Sequence, residues 1–193
     1  MNGSDIHVTS SVSAAAADFG QMSLSGLADH IEATHHAYLR KELPRLIGLG
    51  GHAAAELGQF DSRLSQICQI VVALAAELAS HMRKEELVLF PMIRELEKGQ
   101  LPPALHCGTL SNPVRQMVLE HDDASTALSR LRDLTDDFHC PDHSNAEYRA
   151  LVDGLANLER DLQLHIEKEN AILFRRALAL EEARRLNALV CAD

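Results

Sequence analysis

Apolar residues recur at three- and four-residue intervals in four separate stretches of this chain, the spacing of helices that each bury one face. The first begins at Ser25, a residue suited to N-capping, and runs through Leu27, Ile31, His35 or His36, Leu39, Leu43 and Leu46 until the glycines from Gly48 to Gly51 interrupt it. Pro44 lacks the amide proton an interior turn needs and marks a kink or a stop. The second, from Asp61 to about Lys98, aligns Leu64, Ile67, Val71, Leu74, Leu78, His81, Glu85, Val88, Leu89 and Met92, with Pro91 near its end and Gly99, Pro102 and Pro103 closing it. The third starts at Asn112 with Pro113 in a helix-opening position, carries Val114, Met117, His121, Leu128 and Leu131, and ends near Leu134 before an Asp/His/Cys/Pro loop. The fourth spans about Asn145 to Leu178 through Leu151, Leu155, Leu158, Leu162, His165, Glu169, Ile172 and Leu173, and a short helical extension is expected to Val190.

No stretch alternates as a half-buried strand would. Four amphipathic helices with modest connections predict an all-α, up-down-up-down four-helix bundle over residues 23–193. Residues 1–22, rich in Ser, Ala, Asp and Gly and without sustained periodicity, are expected to form a mobile tail. The length of 193 residues suits one such domain, and a 46% apolar content carried by Ala and Leu, with only 4% aromatics, favours helices.

Charge narrows the partners. A net charge of -10 leaves no basic face to neutralise phosphates, so neither nucleic acid nor an anionic membrane surface is expected to bind. No uninterrupted apolar run reaches 18 residues and the first 22 contain no Lys or Arg, so neither a membrane span nor a secretory signal is expected, and cytoplasmic residence follows. Cys68, Cys107, Cys140 and Cys191 form no C-x-x-C pair and read as ordinary thiols.

Leucine burial does not explain why His and Glu share these stripes. His81-Met-Arg-Lys-Glu85-Glu-Leu-Val-Leu89-Phe90 and His165-Ile-Glu-Lys-Glu169-Asn-Ala-Ile-Leu173-Phe174 match at His, Lys, Glu, Leu and Phe. His36 precedes His81 by 45 residues and His121 precedes His165 by 44, each followed at the same distance by Leu-x-Arg-Leu, as Leu43-Pro-Arg45-Leu46 and Leu128-Ser-Arg130-Leu131. The duplication thus covers helix pairs, and its register selects His36 over His35.

Residues four apart lie on one helix face, so His81 with Glu85 and His165 with Glu169 each aim an imidazole and a carboxylate at one point. Two such helices would bring both carboxylates to a common axis while His36 and His121 approach from the other pair. Carboxylates bridging two metals, with two histidines on each, fit this pattern. Iron is favoured over zinc because imidazole with carboxylate suits iron or manganese, whereas structural zinc prefers a closed tetrahedron in which cysteine is common. A buried carboxylate also needs a nearby cation. Glu86 is the alternative carboxylate, but the second copy has Asn170 there. His52, in the connector, is a further candidate ligand. His30 lies around the helix from His36 and is expected to pack or face solvent. His106 with Cys107, and His139, Cys140, Asp142 and His143, are expected in surface loops, and Phe90 and Phe174 are expected to pack around the site and keep it dry.

These motifs, together with Asp29-His30 to His36, Leu43-Pro44, Leu89-Phe90-Pro91 and Glu120-His121-Asp122, resemble the hemerythrin-like HHE cation-binding family over about Leu27 to Ala177, and especially its branch of iron-sulfur cluster repair di-iron proteins. The resemblance implies His36, His81, His121 and His165 as terminal ligands of two iron ions, joined by an oxo or hydroxo bridge, with Glu85 and Glu169 bridging. Oxygen carriers of this family place a second histidine four residues along the third helix, where this chain has Ser125. Many repair proteins carry a Cys-Cys pair near the N-terminus, and the first 30 residues here have none. The resemblance therefore implies a di-iron protein of nitrosative and oxidative stress that binds nitric oxide or dioxygen and supports repair of iron-sulfur proteins. A reversible oxygen-binding or oxygen-sensing module, or an oxidoreductase reducing nitric oxide or peroxide, are the alternatives.

Overall fold

The computed structural model describes residues 19–99, 109–141 and 145–190. The expected tail up to residue 18, His106 and Cys107, Asp142 and His143, and Cys191 lie outside the described residues. Four helical rods account for nearly everything else. The first consists of α1 (Leu24–Ile31), a π-helical segment Glu32–His36 and α2 (Ala37–Leu57); the second of α3 (Arg63–Lys84), a π segment Glu85–Leu89 and α4 (Phe90–Glu97). The third is α5 (Ser111–Leu134), and the fourth joins α6 (Ala146–Glu167), a π segment Lys168–Phe174 and α7 (Arg175–Val190). Each rod packs on its two neighbours, α2 on α3 and α6 and α5 on the same two, which closes the all-α four-helix bundle the periodicity predicted.

The glycines of the first helix do not end it. α2 runs through Gly48, Gly50 and Gly51 to Leu57, with Pro44 inside it. Gly50 is buried against Cys68 of α3, where an added Cβ would make an ordinary 3.5 Å contact with the Cys68 Cα, and Leu46 and Ala53 are buried along the same helix. That packing outweighs the roughly 1 kcal/mol by which glycine disfavours a helix interior. The chain reverses instead at Gly58 to Ser62. At the end of α5, Asp136, Asp137 and Phe138 take left-handed φ values of 48°, 67° and 58° and stop the helix. Phe19 and Met22, within the expected tail, pack partly buried against the core.

Arg63–Glu97 is long enough and apolar enough on average to cross a membrane by composition, which counting uninterrupted apolar runs did not detect. In the bundle its Leu64, Ile67, Val71, Leu74 and Leu78 are core.

Two apolar clusters fill the interior. One gathers Leu39 to Ala53, Leu64 to Met82, Ala124 to Leu131 and Leu151 to Leu162; the other gathers Leu24 to Ile31, Leu89 to Leu96, Leu110 to Met117 and Leu173 to Ala177. On every rod the buried residues between the two clusters are His or Glu, so a polar layer crosses the bundle at mid-height.

The duplication reaches beyond the motifs. Glu97 accepts hydrogen bonds from the backbone N–H of Leu24 (2.7 Å) and Ser25 (3.0 Å) and from the Ser25 hydroxyl (2.5 Å), capping α1 from another rod. Glu181, at the same place in the second half, accepts from the N–H of Leu110 (3.1 Å) at the start of α5. Glu97→Ala and Glu181→Ala are each expected to cost about 1–2 kcal/mol, read from urea unfolding of the metal-free protein; a change under a few tenths in both would contradict the capping role.

Candidate metal centre

Three of the four rods widen from α to π geometry beside the polar layer. His36 ends the first π segment, Glu85 opens the second, and Glu169 lies in the third, while His81 and His165 sit in the α-helical turns just before theirs. A π turn adds a residue to the helical repeat and re-aims the side chains that follow, a device frequent at functional sites. His121, on the regular α5, completes the set. All six side chains are essentially inaccessible, with at most 2% of any residue exposed.

They form two groups of four. His36, Glu85, His165 and Glu169 present ligand atoms within 4.8 Å of one another, and so do His81, Glu85, His121 and Glu169. Both carboxylates belong to both groups, and each divides its oxygens between them. Glu85 turns Oε2 to His36 Nε2 (3.3 Å) and Oε1 to His81 Nε2 (3.4 Å); Glu169 turns Oε1 to His165 Nε2 (2.9 Å) and Oε2 to His121 Nε2 (3.0 Å).

The outer nitrogens explain why the inner ones face inward. His36 Nδ1 lies 2.6 Å from Glu86 Oε1, His81 Nδ1 2.9 Å from Glu120 Oε2 and His121 Nδ1 3.0 Å from Asn170 Oδ1. Each acceptor draws the ring proton to Nδ1 and leaves the Nε2 lone pair aimed at the centre. Lone pairs and carboxylate oxygens then crowd together: His81 and His121 bring their Nε2 atoms within 3.1 Å, and His36 Nε2, both Glu85 oxygens and Glu169 Oε2 have no hydrogen-bond partner among the described residues. Such a donor set is costly to bury unless a cation sits among it. The residues fit a pair of metal ions.

In the metal-free protein protons substitute for that cation. Burial opposes charge on His81, but the Glu85 carboxylate 3.4 Å away, with the Glu169 and Glu120 carboxylates, outweighs it and raises the imidazolium to about 9. His36 is raised in the same way, against burial, by Glu85 and Glu86. Burial alone would push Glu169 up, yet His165 and His121 hold it well below the ordinary carboxylate value. A histidine raised from 6.5 to about 9 contributes stability that is whole below 6.5 and lost as pH climbs through 9. The metal-free bundle is therefore expected to melt at progressively lower temperature between those limits, and metal uptake near neutral pH to release protons, measurable by calorimetry in buffers of different ionisation enthalpy. A flat melting profile with no proton release would contradict it.

Other candidates fall outside the groups. His52 is exposed on α2 rather than in a connector, about 24 Å along the helix axis from His36. His30 Nε2 meets the Lys168 ammonium at 3.0 Å. His139, exposed, and Cys140, half-buried, lie in the loop after α5 and join neither group. Glu86 is not in a group either; it holds His36 and is itself held by Arg40. Sequence reasoning passed over Glu120, Asn170, Lys84, Lys168 and the buried His35. The signal for them was present in the repeat, where Glu86 aligns with Asn170 and Lys84 with Lys168. Ser125 is exposed, and its hydroxyl donates to the His121 carbonyl at 2.7 Å, so α5 offers one donor to the centre.

Fold and site together define a helical bundle with a buried, internally duplicated centre of histidine and glutamate donors able to hold metal. The chain belongs to the hemerythrin HHE cation-binding domain family, whose model matches residues 27–177. Among its relatives are the iron-sulfur cluster repair protein YtfE of Enterobacter sp. (strain 638), 34% identical over 85% of this chain and 70% of the relative, and that of Escherichia coli O157:H7, 33% identical over the same shares. The protein of the same name from Salmonella schwarzengrund is 30% identical over the same shares.

Proposed function

We propose that this protein holds two iron ions, one between His36 and His165 and the other between His81 and His121, and that Glu85 and Glu169 bridge them. The observation that carries the reading is the division of each carboxylate's oxygens between two groups that share no histidine. When bound, the iron pair would supply open coordination positions for nitric oxide or dioxygen, since each group offers four protein donors and a first-row ion accepts more. The chain's own part is to hold the rings by their outer nitrogens and keep bulk water out. Phe90 stacks on His36 with ring centroids 5.9 Å apart and Phe174 on His121 at 6.1 Å, sealing the apolar end. A groove of about 470 Å³ lined by Ser80, His81, Lys84, Gln116 and Glu120 gives a small molecule an approach from the α3–α5 face.

In this reading the protein serves in the response to nitrosative and oxidative stress in the cytoplasm and supports iron-sulfur cluster repair, the activity for which its YtfE relatives are named. Nitric oxide titration of the iron(II)-loaded protein tests this. The iron absorption and electron paramagnetic resonance spectra are expected to change stoichiometrically; unchanged spectra would overturn the diatomic-ligand reading.

A further inference from the structure

We propose that the two metal positions are unequal, the one between His36 and His165 binding its ion about 10- to 100-fold more weakly than the one between His81 and His121. The inference rests on the paired-metal reading above and follows from a break in the duplication. The internal symmetry maps His36 onto His121 and His81 onto His165. Under it, Glu86 behind His36 corresponds to Asn170 behind His121, and both bond the outer nitrogen of their histidine. Glu120 behind His81 corresponds to His35, and there the correspondence fails. Lys84 pairs with Glu120, which bonds His81 Nδ1. Lys168, the partner of Lys84 in the repeat, contacts His35 Nε2 at 2.8 Å, and the other nitrogen of His35 faces Asp161 at 2.9 Å.

His35 therefore has no nitrogen left for His165. It lies flat against that ring, with centroids 5.3 Å apart and planes 4° from parallel. His165 Nδ1 is buried without a hydrogen-bond partner among the described residues, unlike its counterpart in His36, His81 or His121. Each position thus has one carboxylate-backed histidine, and they differ in the second: the outer side of His121 is fixed by an amide oxygen, that of His165 only by the stacked His35 ring. An acceptor on the outer nitrogen fixes the tautomer and raises the basicity of the ligating nitrogen, and losing one typically weakens metal binding 10- to 100-fold. His35 is here a positioning residue, acting on the metal through His165.

The test is to add one molar equivalent of iron(II) to metal-free protein without oxygen, crystallise it, and measure anomalous scattering from iron at each position. The wild type is expected to show most of the iron between His81 and His121. His35→Glu, which restores the carboxylate found at the symmetric place, is expected to even the two occupancies, and Asn170→Ala, which strips the partner from His121, to even or invert them. Equal filling in the wild type, preferential filling between His36 and His165, or an occupancy ratio unmoved by both variants would overturn the inequality. A single ion midway between the groups, or none, would instead remove the paired-metal reading and the inference with it.

Discussion

Glu85→Ala is expected to lower bound metal from two ions per chain to one or none and to remove the stabilisation that metal confers, about 2.7 kcal/mol when free metal stands at 100 times its dissociation constant. The metal-free variant should change less, because the Glu85 oxygens meet His36 and His81 only at 3.3 and 3.4 Å, and the loss of those contacts is partly offset by deleting a carboxylate that is 0% exposed and costly to bury. Glu169→Ala should behave differently. Its Oε1 is bonded to His165 at 2.9 Å, so the metal-free form also loses an interaction. Thermal melts of both variants with and without metal separate these effects. Retention of two metals per chain by the double variant would contradict the bridging role.

Phe90→Ala carries the second large effect, about 3–5 kcal/mol of lost stability, as expected when a fully buried aromatic ring is truncated. Phe90 belongs to the apolar cluster on one side of the polar layer and lies nearly parallel to His36, 13° between planes. Its removal admits water beside the donors and frees a ring they require in place, so metal affinity should fall with stability. Phe174→Ala should do the same through His121. Urea unfolding at fixed pH measures the first effect and metal titration the second; a loss below about 1 kcal/mol in both variants would mean that the rings are not the packing elements described here.

The bundle was legible because leucine stripes state a helical period directly, and the polar layer because His81 with Glu85 and His165 with Glu169 keep that period while breaking its chemistry. What the pattern could not carry was packing between rods. Glycines 48, 50 and 51 look like a stop to any reading based on local propensity, but the burial of Leu46, Gly50 and Ala53 carries the helix on to Leu57. The π segments left no trace in composition, since their side chains obey the same apolar rhythm. The outer hydrogen-bond partners were half visible. Glu86 drew notice as a rival carboxylate and was set aside because its repeat mate is Asn170; a carboxylate oxygen and an amide oxygen both accept from a ring N–H, and that shared capacity was the message of the pair. His35 was passed over in choosing His36, although both neighbours are buried.

Metal analysis combined with Mössbauer spectroscopy, on protein purified without oxygen and then oxidised, tests the paired centre most directly. The arrangement of Glu85 and Glu169 across two histidine pairs predicts two irons per chain that are magnetically coupled to each other. One iron per chain, uncoupled iron, or zinc in its place would contradict it.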